Sequence, residues 1–483
     1  MYSIAIVWLR RDLRLTDHAA LLAAALRSDR LVLAFVLDPV LLRGPRVGAP
    51  IVQFFFDSLR VLRDELRAAG SDLALLEGDF GEQLADLARH VEAQAVFYNL
   101  DYDPAMRARD ERVTVRLRAA GLAVHDSVDH VYAAAGDVVQ QSGKPYTVFT
   151  PYRRRWLAAY EAGPRAPFDS LAAARGKLLP ANAVGRTLAV PKPETYGLPS
   201  SARFPAGGLR EAQRLLDAFV ADRIDGYLDR RNLPAVDGTS GLSPHLRAGT
   251  IGIRTCITTA MRARAMRPQG ARANIDGWIG ELIWRDFYQG LLVQFPRVAH
   301  EPFIEAGKSL EYARDDAGYA AWCAGRTGFP IVDAAMIQLN TTGWMHNRLR
   351  MIVASFLTKH LLIDYRAGER YFEQHLADAD LAANNGGWQW SASIGTDAAP
   401  YFRIFNPTLQ GRTFDPDGAF VRAMLPALRN VPDKYVHEPA AMPPLIASAA
   451  GFVLGRDYPA PIVDHAAARV RAIEVYGTAL KRR

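Results

Sequence analysis

The sequence predicts an α/β N-terminal domain, a parallel sheet with flanking helices, joined by a long linker to an all-helical C-terminal domain. Three observations predict this. Short apolar runs alternate with amphipathic stretches from residue 4 to residue 125, the pattern of a parallel sheet with crossover helices. From 131 to 208 periodicity fades and Pro, Gly and Ala accumulate, as in LAVPKPETYGLPSS. After residue 208 helical spacing dominates and no strand pattern returns. The expected bounds are 1–130, 131–208 and 209–483, and a chain of 483 residues is too long for one ordinary domain.

Residues 4–9 form a β-branched apolar run, read as a buried strand. Thr16 or Asp17 is expected to cap a helix running to residue 26. Strands follow at 31–37, 73–76, 95–98 and 123–125, with helices at 50–69, 82–91 and 104–119. Arg10, Arg11 and Arg14 follow the first strand, where no Gly-rich phosphate motif occurs, so they read as a solvated charged loop. Arg153, Arg154 and Arg155 read as solvated surface. The later helices are expected at 209–230, 252–266, 276–295, 318–324, 332–340, 347–361 and 367–375.

Composition narrows the function. Apolar residues make up 49% of the chain, enough for a sizeable core. The formal net charge of +7, carried mostly by arginine, fits a nucleic-acid partner and equally an Arg-rich cytosolic protein. Two cysteines, Cys256 and Cys323, give neither a disulfide framework nor a zinc site. A reducing cytoplasm is expected, because MYSIAIVWLRRDLRL lacks the form of a signal peptide. No run approaches the ~20 apolar residues of a membrane helix.

Four segments carry chemistry. DGTSGLSPHL, at 237–246, sets hydroxyls among small residues, with Tyr227 and Arg231 four residues apart upstream; backbone amides there suit a diphosphate, or form a plain capped loop. In WIGELIWRDFY, Trp278, Glu281 and Trp284 recur at threes and share a helix face. Glu281 there suits a polar flat ligand or a surface bridge to Arg285. Trp344, Asn347, Arg348 and Met351 are spaced to share one helix face, with Arg350 on another. DADLAANNGGWQW, at 378–390, holds Asp378, Asp380, Asn384, Trp388 and Trp390, with Gly386 and Gly387 allowing close backbone approach. No nucleophile stands beside a base and no metal spacing occurs, which excludes ordinary hydrolysis. Amides, arginines, carboxylates and large aromatics suit a planar polar cofactor.

Together with WLRRDLRLTDH, GTSGLSP, ELIWRDFY, TGFPIVDAAMIQLNTTGWMHNRLRM, GERYF and WSASIGTDAAPYFRIFNP, these segments resemble the photolyase/cryptochrome family, and within it class I cyclobutane pyrimidine dimer photolyases. The resemblance covers essentially the whole chain. It implies an antenna-chromophore domain, a linker and a helical FAD-binding domain. It implies light-driven repair of ultraviolet-damaged DNA by a cytoplasmic monomer, with a cryptochrome-like blue-light receptor as the alternative. By matching positions, Tyr227, Arg231, Thr239, Ser240, Gly241, Leu242, Ser243, Trp278, Glu281, Trp344, Asn347, Arg350, Asp378, Asp380 and Asn384 are the expected flavin contacts. Glu281, Trp284, Asn347, Met351 and Trp390 are the expected lesion contacts, and Arg348 and Arg403 the expected DNA-backbone contacts. His346 precedes Asn347-Arg348, the dimer-repair pattern rather than that of six-four photolyases.

Two positions depart from the family pattern. The photoreduction relay matches Trp388 first, but then Tyr365 and Tyr312 where tryptophans are usual. Photoreduction is therefore expected to be slower, or to exit through Trp322, Trp344 or a tyrosine radical. Ala105-Met106 replaces the Asn-Glu pair of folate-binding members. Asp101 and Arg247 resemble the pattern for an 8-hydroxy-5-deazaflavin antenna, with 5,10-methenyltetrahydrofolate as the alternative.

Overall fold

The structure is a computed structural model that describes residues 1–185 and 187–481; Arg186 of the expected linker and the last two residues of the expected helical domain lie outside it. Among the described residues five strands occur: β1 (Tyr2–Leu9), β2 (Ser28–Leu37), β3 (Leu73–Glu77), β4 (Ala95–Asn99) and β5 (Ala123–Ser127). Among them run α1 (Ala19–Arg27), α2 (Pro39–Leu42), α3 (Ala49–Ala68), α4 (Phe80–Val91) and α5 (Pro104–Ala119). Next come α6 (Phe149–Ala162), α7 (Ser170–Ala174), α8 (Leu209–Ala218), α9 (Tyr227–Arg230), α10 (Ser243–Ala248), α11 (Ile253–Ala265) and α12 (Arg272–Gln294). The remaining helices are α13 (Asp316–Ala324), α14 (Pro330–Thr342), α15 (Asn347–Ser355), α16 (Tyr365–His375), α17 (Leu381–Ser391), α18 (Pro407–Phe414), α19 (Ala419–Met424), α20 (Pro444–Ala449) and α21 (His465–Lys481).

The chain forms two compact units, neither continuous in sequence. The first comprises Met1–Asp225, Ser240–Pro296 and Ala377–Ala382; the second comprises Gly226–Thr239, Arg297–Leu376 and the chain from Ala383 onward. The first unit holds the sheet, ordered β3-β2-β1-β4-β5 and parallel throughout. Val7 of β1 pairs with Leu33 of β2 and Phe97 of β4, and packs on one face with Leu59 and Leu62 of α3. Ile6, Trp8 and Val96 face the other way, against Leu84 of α4 and Leu117 of α5. Both faces are covered, which is why the strands read as unbroken apolar runs.

Three expectations in this unit are corrected. The cap of α1 is neither Thr16 nor Asp17 but His18, whose Nδ1 accepts from the Leu21 amide at 3.0 Å. Asp17 instead accepts from Arg254 Nε at 2.6 Å and from the Thr255 hydroxyl at 3.0 Å. The arginines after β1 are not solvated: Arg10 pairs with Asp110, and Arg14 with Asp129, all four buried. The partners lie about a hundred residues away, so local charge pattern could not reveal the pairing. The stretch read as aperiodic contains α6, whose Tyr152 and Trp156 are buried. Trp156 Nε1 and the amides of Tyr132 and Ala133 all donate to Asp286 of α12. Burial still pushes the Asp286 carboxyl up to about 6, with those donors opposing it.

The second unit contains no named strand among the described residues. Helix α15 begins at Asn347, and His346 caps it by accepting from the Arg348 amide at 3.2 Å. Trp344 therefore lies before the helix and does not share its face, which corrects the expectation from spacing. The helix expected to reach residue 361 runs as α15 to Ser355 and continues as a π-helical turn, Phe356–His360. Likewise the helix expected over 209–230 breaks after α8 into a π turn, Phe219–Arg223, and a 3₁₀ turn before α9. Among the described residues no helix is long and apolar enough to cross a membrane, and no cluster of His, Cys, Asp and Glu is placed to hold a metal.

Candidate functional site

In the first unit, α12 carries Trp278, Glu281 and Trp284. Trp278 is buried, with its ring 5.0 Å from Phe219. Trp284 is half-buried and stacks on Phe149 at 3.6 Å and 8°, with Tyr288 at 5.4 Å on the next turn. Phe149 has no periodic signal in the sequence. Arg285 donates to the backbone carbonyl and Nε2 of His130 and to the Leu246 carbonyl, which commits it there.

The turn before α10 places Gly241 at φ +69°, where a side chain would be strained. Ser240 Oγ accepts from the Leu242 amide at 3.4 Å, and Leu242 is buried. The α10 helix opens at Ser243, which is exposed, with no side-chain cap.

Asp378 and Asp380 are both buried. Asp380 accepts from Arg11, from Gln289 Nε2 at 2.9 Å and from the Ala382 amide at 3.1 Å. Burial alone would raise its pKa, but Arg11 above all, with His130 and Arg247, holds it well below the carboxylate range. His130 lies 3.9 Å from Asp380 yet is neutral, because burial and the charges of Arg11 and Arg285 push its pKa well down. The two residues expected to hold an antenna border this cluster. Asp101 accepts from Arg11 at 3.1 Å, and Arg247 Nε donates to the Ala379 carbonyl at 2.5 Å. Burial lowers the Arg247 pKa to about 10.

In the second unit, the Arg231 guanidinium lies 5.1 Å over the buried Tyr227 ring, as their four-residue spacing allows. Thr239 and Trp344 are half-buried. On α15, Asn347 is exposed, Arg348 and Met351 are half-buried, and Arg350 Nε donates to the Met345 carbonyl at 2.8 Å. Arg348 donates from Nη2 to Asn232 Oδ1 at 2.9 Å and lies 4.4 Å over the Phe414 ring. Arg403 is exposed, 5.9 Å over Phe405, and its carbonyl accepts from the buried Lys359 at 3.2 Å.

The His346 cap depends on a neutral ring, since a protonated Nδ1 cannot accept. Burial, then Arg350 and Arg348, lowers its pKa to about 4. A folded pKa below the unfolded value gives stability that is full above about 6.5 and is lost as pH falls toward 4. Denaturant melts from pH 7 to 4 are expected to show this loss. In His346→Asn, which keeps a capping acceptor, its slope disappears.

Helix α17 carries the remaining segment. Asn384 Nδ2 donates to the Glu369 carbonyl at 2.9 Å, and Asn385 Nδ2 to the Glu369 carboxylate at 2.9 Å. Gln389 Nε2 donates to Asn385 Oδ1 and to the carbonyls of Val298 and Glu301. These bonds fix the helix rotation. Trp388 is buried, Trp390 is half-buried, and Ala383 and Gly387 are exposed. A Cβ built on Gly387 meets no protein atom within 4 Å. Tyr365 and Tyr312 lie with their hydroxyls buried. A small, open helix face beside a fixed neutral amide fits a flat, hydrogen-bonding ring such as a flavin.

Residues 278–478 match the FAD binding domain of DNA photolyase, and residues 5–172 match DNA photolyase. A deoxyribodipyrimidine photo-lyase of Salmonella typhimurium is 41% identical over 484 residues, covering 99% of both chains. The chain belongs to the DNA photolyase family. The solved class III photolyase of Agrobacterium tumefaciens matches with a TM-score of 0.90 at 37% identity, over 100% of this chain and 98% of that one. An archaeal photolyase from Sulfolobus tokodaii, solved with two FAD molecules, matches with a TM-score of 0.82 at 31% identity, over 98% and 100% of the chains. Arg11, His130, Gln289 and Glu369 organise the photolyase residues expected from sequence. Of these four, Arg11 and Glu369 lay in segments the sequence singled out, WLRRDLRLTDH and GERYF, while His130 and Gln289 did not.

Proposed function

We propose that this chain uses light and reduced FAD to split cyclobutane pyrimidine dimers in ultraviolet-damaged DNA. The observation that carries the reading is Asn384, a neutral amide whose rotation is fixed by the Glu369 carbonyl on a helix with a bare face at Gly387. A charged group there would favour a different flavin redox state. Bound, the reduced flavin supplies a light-driven one-electron donor. Tyr227, Arg231, Thr239, Ser240, Gly241, Leu242, Ser243, Trp278, Trp344, Arg350, Asp378, Asp380 and Asn384 serve to hold it.

The chain's own residues do the remaining work. Glu281 hydrogen-bonds the damaged base and steadies the charge it gains. Trp284 and Trp390 shield base faces from water, Asn347 supplies an amide and Met351 an adaptable apolar contact. Arg348, preorganised by Asn232 and Phe414, and the exposed Arg403 bind phosphates. The net charge of +7 adds affinity that ignores sequence. A dimer is poorly stacked, so everting it costs less than everting a normal base.

This reading places an antenna domain at 1–130, a linker at 131–208 and the FAD-binding domain from 209 onward. It makes the protein a cytoplasmic monomer, with a deazaflavin-type antenna near Asp101 and Arg247. Chain loaded with FAD and reduced by dithionite is expected to remove thymine dimers from an irradiated oligonucleotide in blue light and not in darkness. Unchanged dimers in the light would refute repair and favour the photoreceptor reading.

A further inference from the structure

The second unit decides among the exits for photoreduction. Oxidising a phenol by an indole cation requires its proton to leave with the electron. Tyr365 and Tyr312, which hold the relay positions after Trp388, are poorly placed for that. Their hydroxyls are buried and have no acceptor among the described residues. Burial raises both phenols far above their ordinary pKa, as it does that of Tyr371, so the difference lies in the missing acceptors.

Another aromatic line leaves Trp388. Its ring meets Trp322 edge to face, with centroids 6.1 Å apart. Trp322 is fully buried, and its Nε1 donates to the Val353 carbonyl at 3.1 Å, a dipole that steadies an oxidised indole. Tyr371 is next, 5.5 Å from Trp322. Its hydroxyl donates to Asn340 Oδ1 at 2.8 Å, with the Cys323 carbonyl a second acceptor in reach at 3.0 Å. The residue is half-buried, and unlike Tyr365 and Tyr312 its phenolic proton already rests on an acceptor. The ring also stacks on His375 at 3.9 Å and 15°.

We propose that Trp388, Trp322 and Tyr371 form the relay that reduces the oxidised flavin in this chain, in place of Tyr365 and Tyr312. Trp388 passes one electron to the photoexcited cofactor and becomes an indole cation radical. Trp322 refills Trp388. Tyr371 refills Trp322, releases its phenolic proton to water and becomes a neutral radical. A solution thiol returns a hydrogen atom to Tyr371, and two resulting thiyl radicals couple as a disulfide. The relay rests on the proposed flavin chemistry, and the test separates the two.

The test uses the full chain loaded with oxidised FAD, flashed with blue light in the presence of a thiol. Transient absorption and electron paramagnetic resonance follow the protein radicals. Trp322→Phe is expected to lower the yield of long-lived radical by about tenfold, and Tyr371→Phe to abolish the tyrosyl resonance. Tyr365→Phe and Tyr312→Phe are expected to stay within about twofold of the parent. Loss of the tyrosyl resonance in Tyr365→Phe or Tyr312→Phe, or its persistence in Tyr371→Phe, would overturn the relay. Tyr371 is half-buried and its change keeps the ring, so it carries the test if Trp322→Phe does not fold. Dithionite-reduced parent that repairs no dimers sinks the proposed function, while the radical measurements judge the relay by themselves.

Discussion

Gly368→Ala is expected to destabilise the protein by about 3 kcal/mol. A Cβ at Gly368, inside α16, would lie 2.1 Å from Cη2 of Trp388 and 2.5 Å from Cζ3. Trp388 is 2% exposed and rigid, and Phe372 packs against it at 5.0 Å. Alanine normally favours a helix over glycine by about 1 kcal/mol, so the sign itself tests the clash. Denaturant melts would show the loss, and tryptophan emission would shift as the Trp388 ring moves. Gly387→Ala is the matched control. No protein atom lies within 4 Å of its added Cβ, so stability holds or rises while bound FAD falls. Equal stability of Gly368→Ala and the parent would refute the packing described for Trp388.

Asp129→Ala is expected to cost about 4 kcal/mol, because it removes the carboxylate that two buried guanidinium groups share and leaves Asp17 alone beside them. Arg14 and Arg254 both donate to this carboxylate, and the Ala19 amide adds a third bond at 3.0 Å. Burial would raise the Asp129 pKa, but the two arginines hold it far below the usual range. Its contribution is therefore full above about pH 4 and lost as acid protonates it. Urea melts at pH 7 should show a large drop in midpoint for Asp129→Ala. A parent midpoint matched by the variant would mean the arginines find other partners.

The sheet was legible because burial on both faces leaves unbroken apolar runs, visible without any partner. The helix 104–119 appears with the same bounds because Pro104 and Gly121 punctuate it locally. What failed was whatever depended on distant residues. Arg10 and Arg14 read as solvent-facing because Asp110 and Asp129 are remote in sequence. The π turn at Phe356–His360 has no residue signature, since it registers as one continued helical period. Asn384-Asn385-Gly386-Gly387 has the composition of a turn, yet side-chain bonds to Glu369 and from Gln389 hold it as helix. The flavin and lesion residues were named through resemblance; the structure adds what holds them. Phe149 against Trp284 and Arg11 against Asp380 came only from three dimensions.

The segment Ala377–Ala382 belongs to the same compact unit as the N-terminal sheet. A ribosome must therefore deliver most of the polypeptide before that unit can close, with Arg11 waiting for Asp380. A nascent chain arrested short of Ala377 would hold the strands but lack their last clasp. Protease resistance of the sheet should then mature only after Asp380 has emerged from the ribosome.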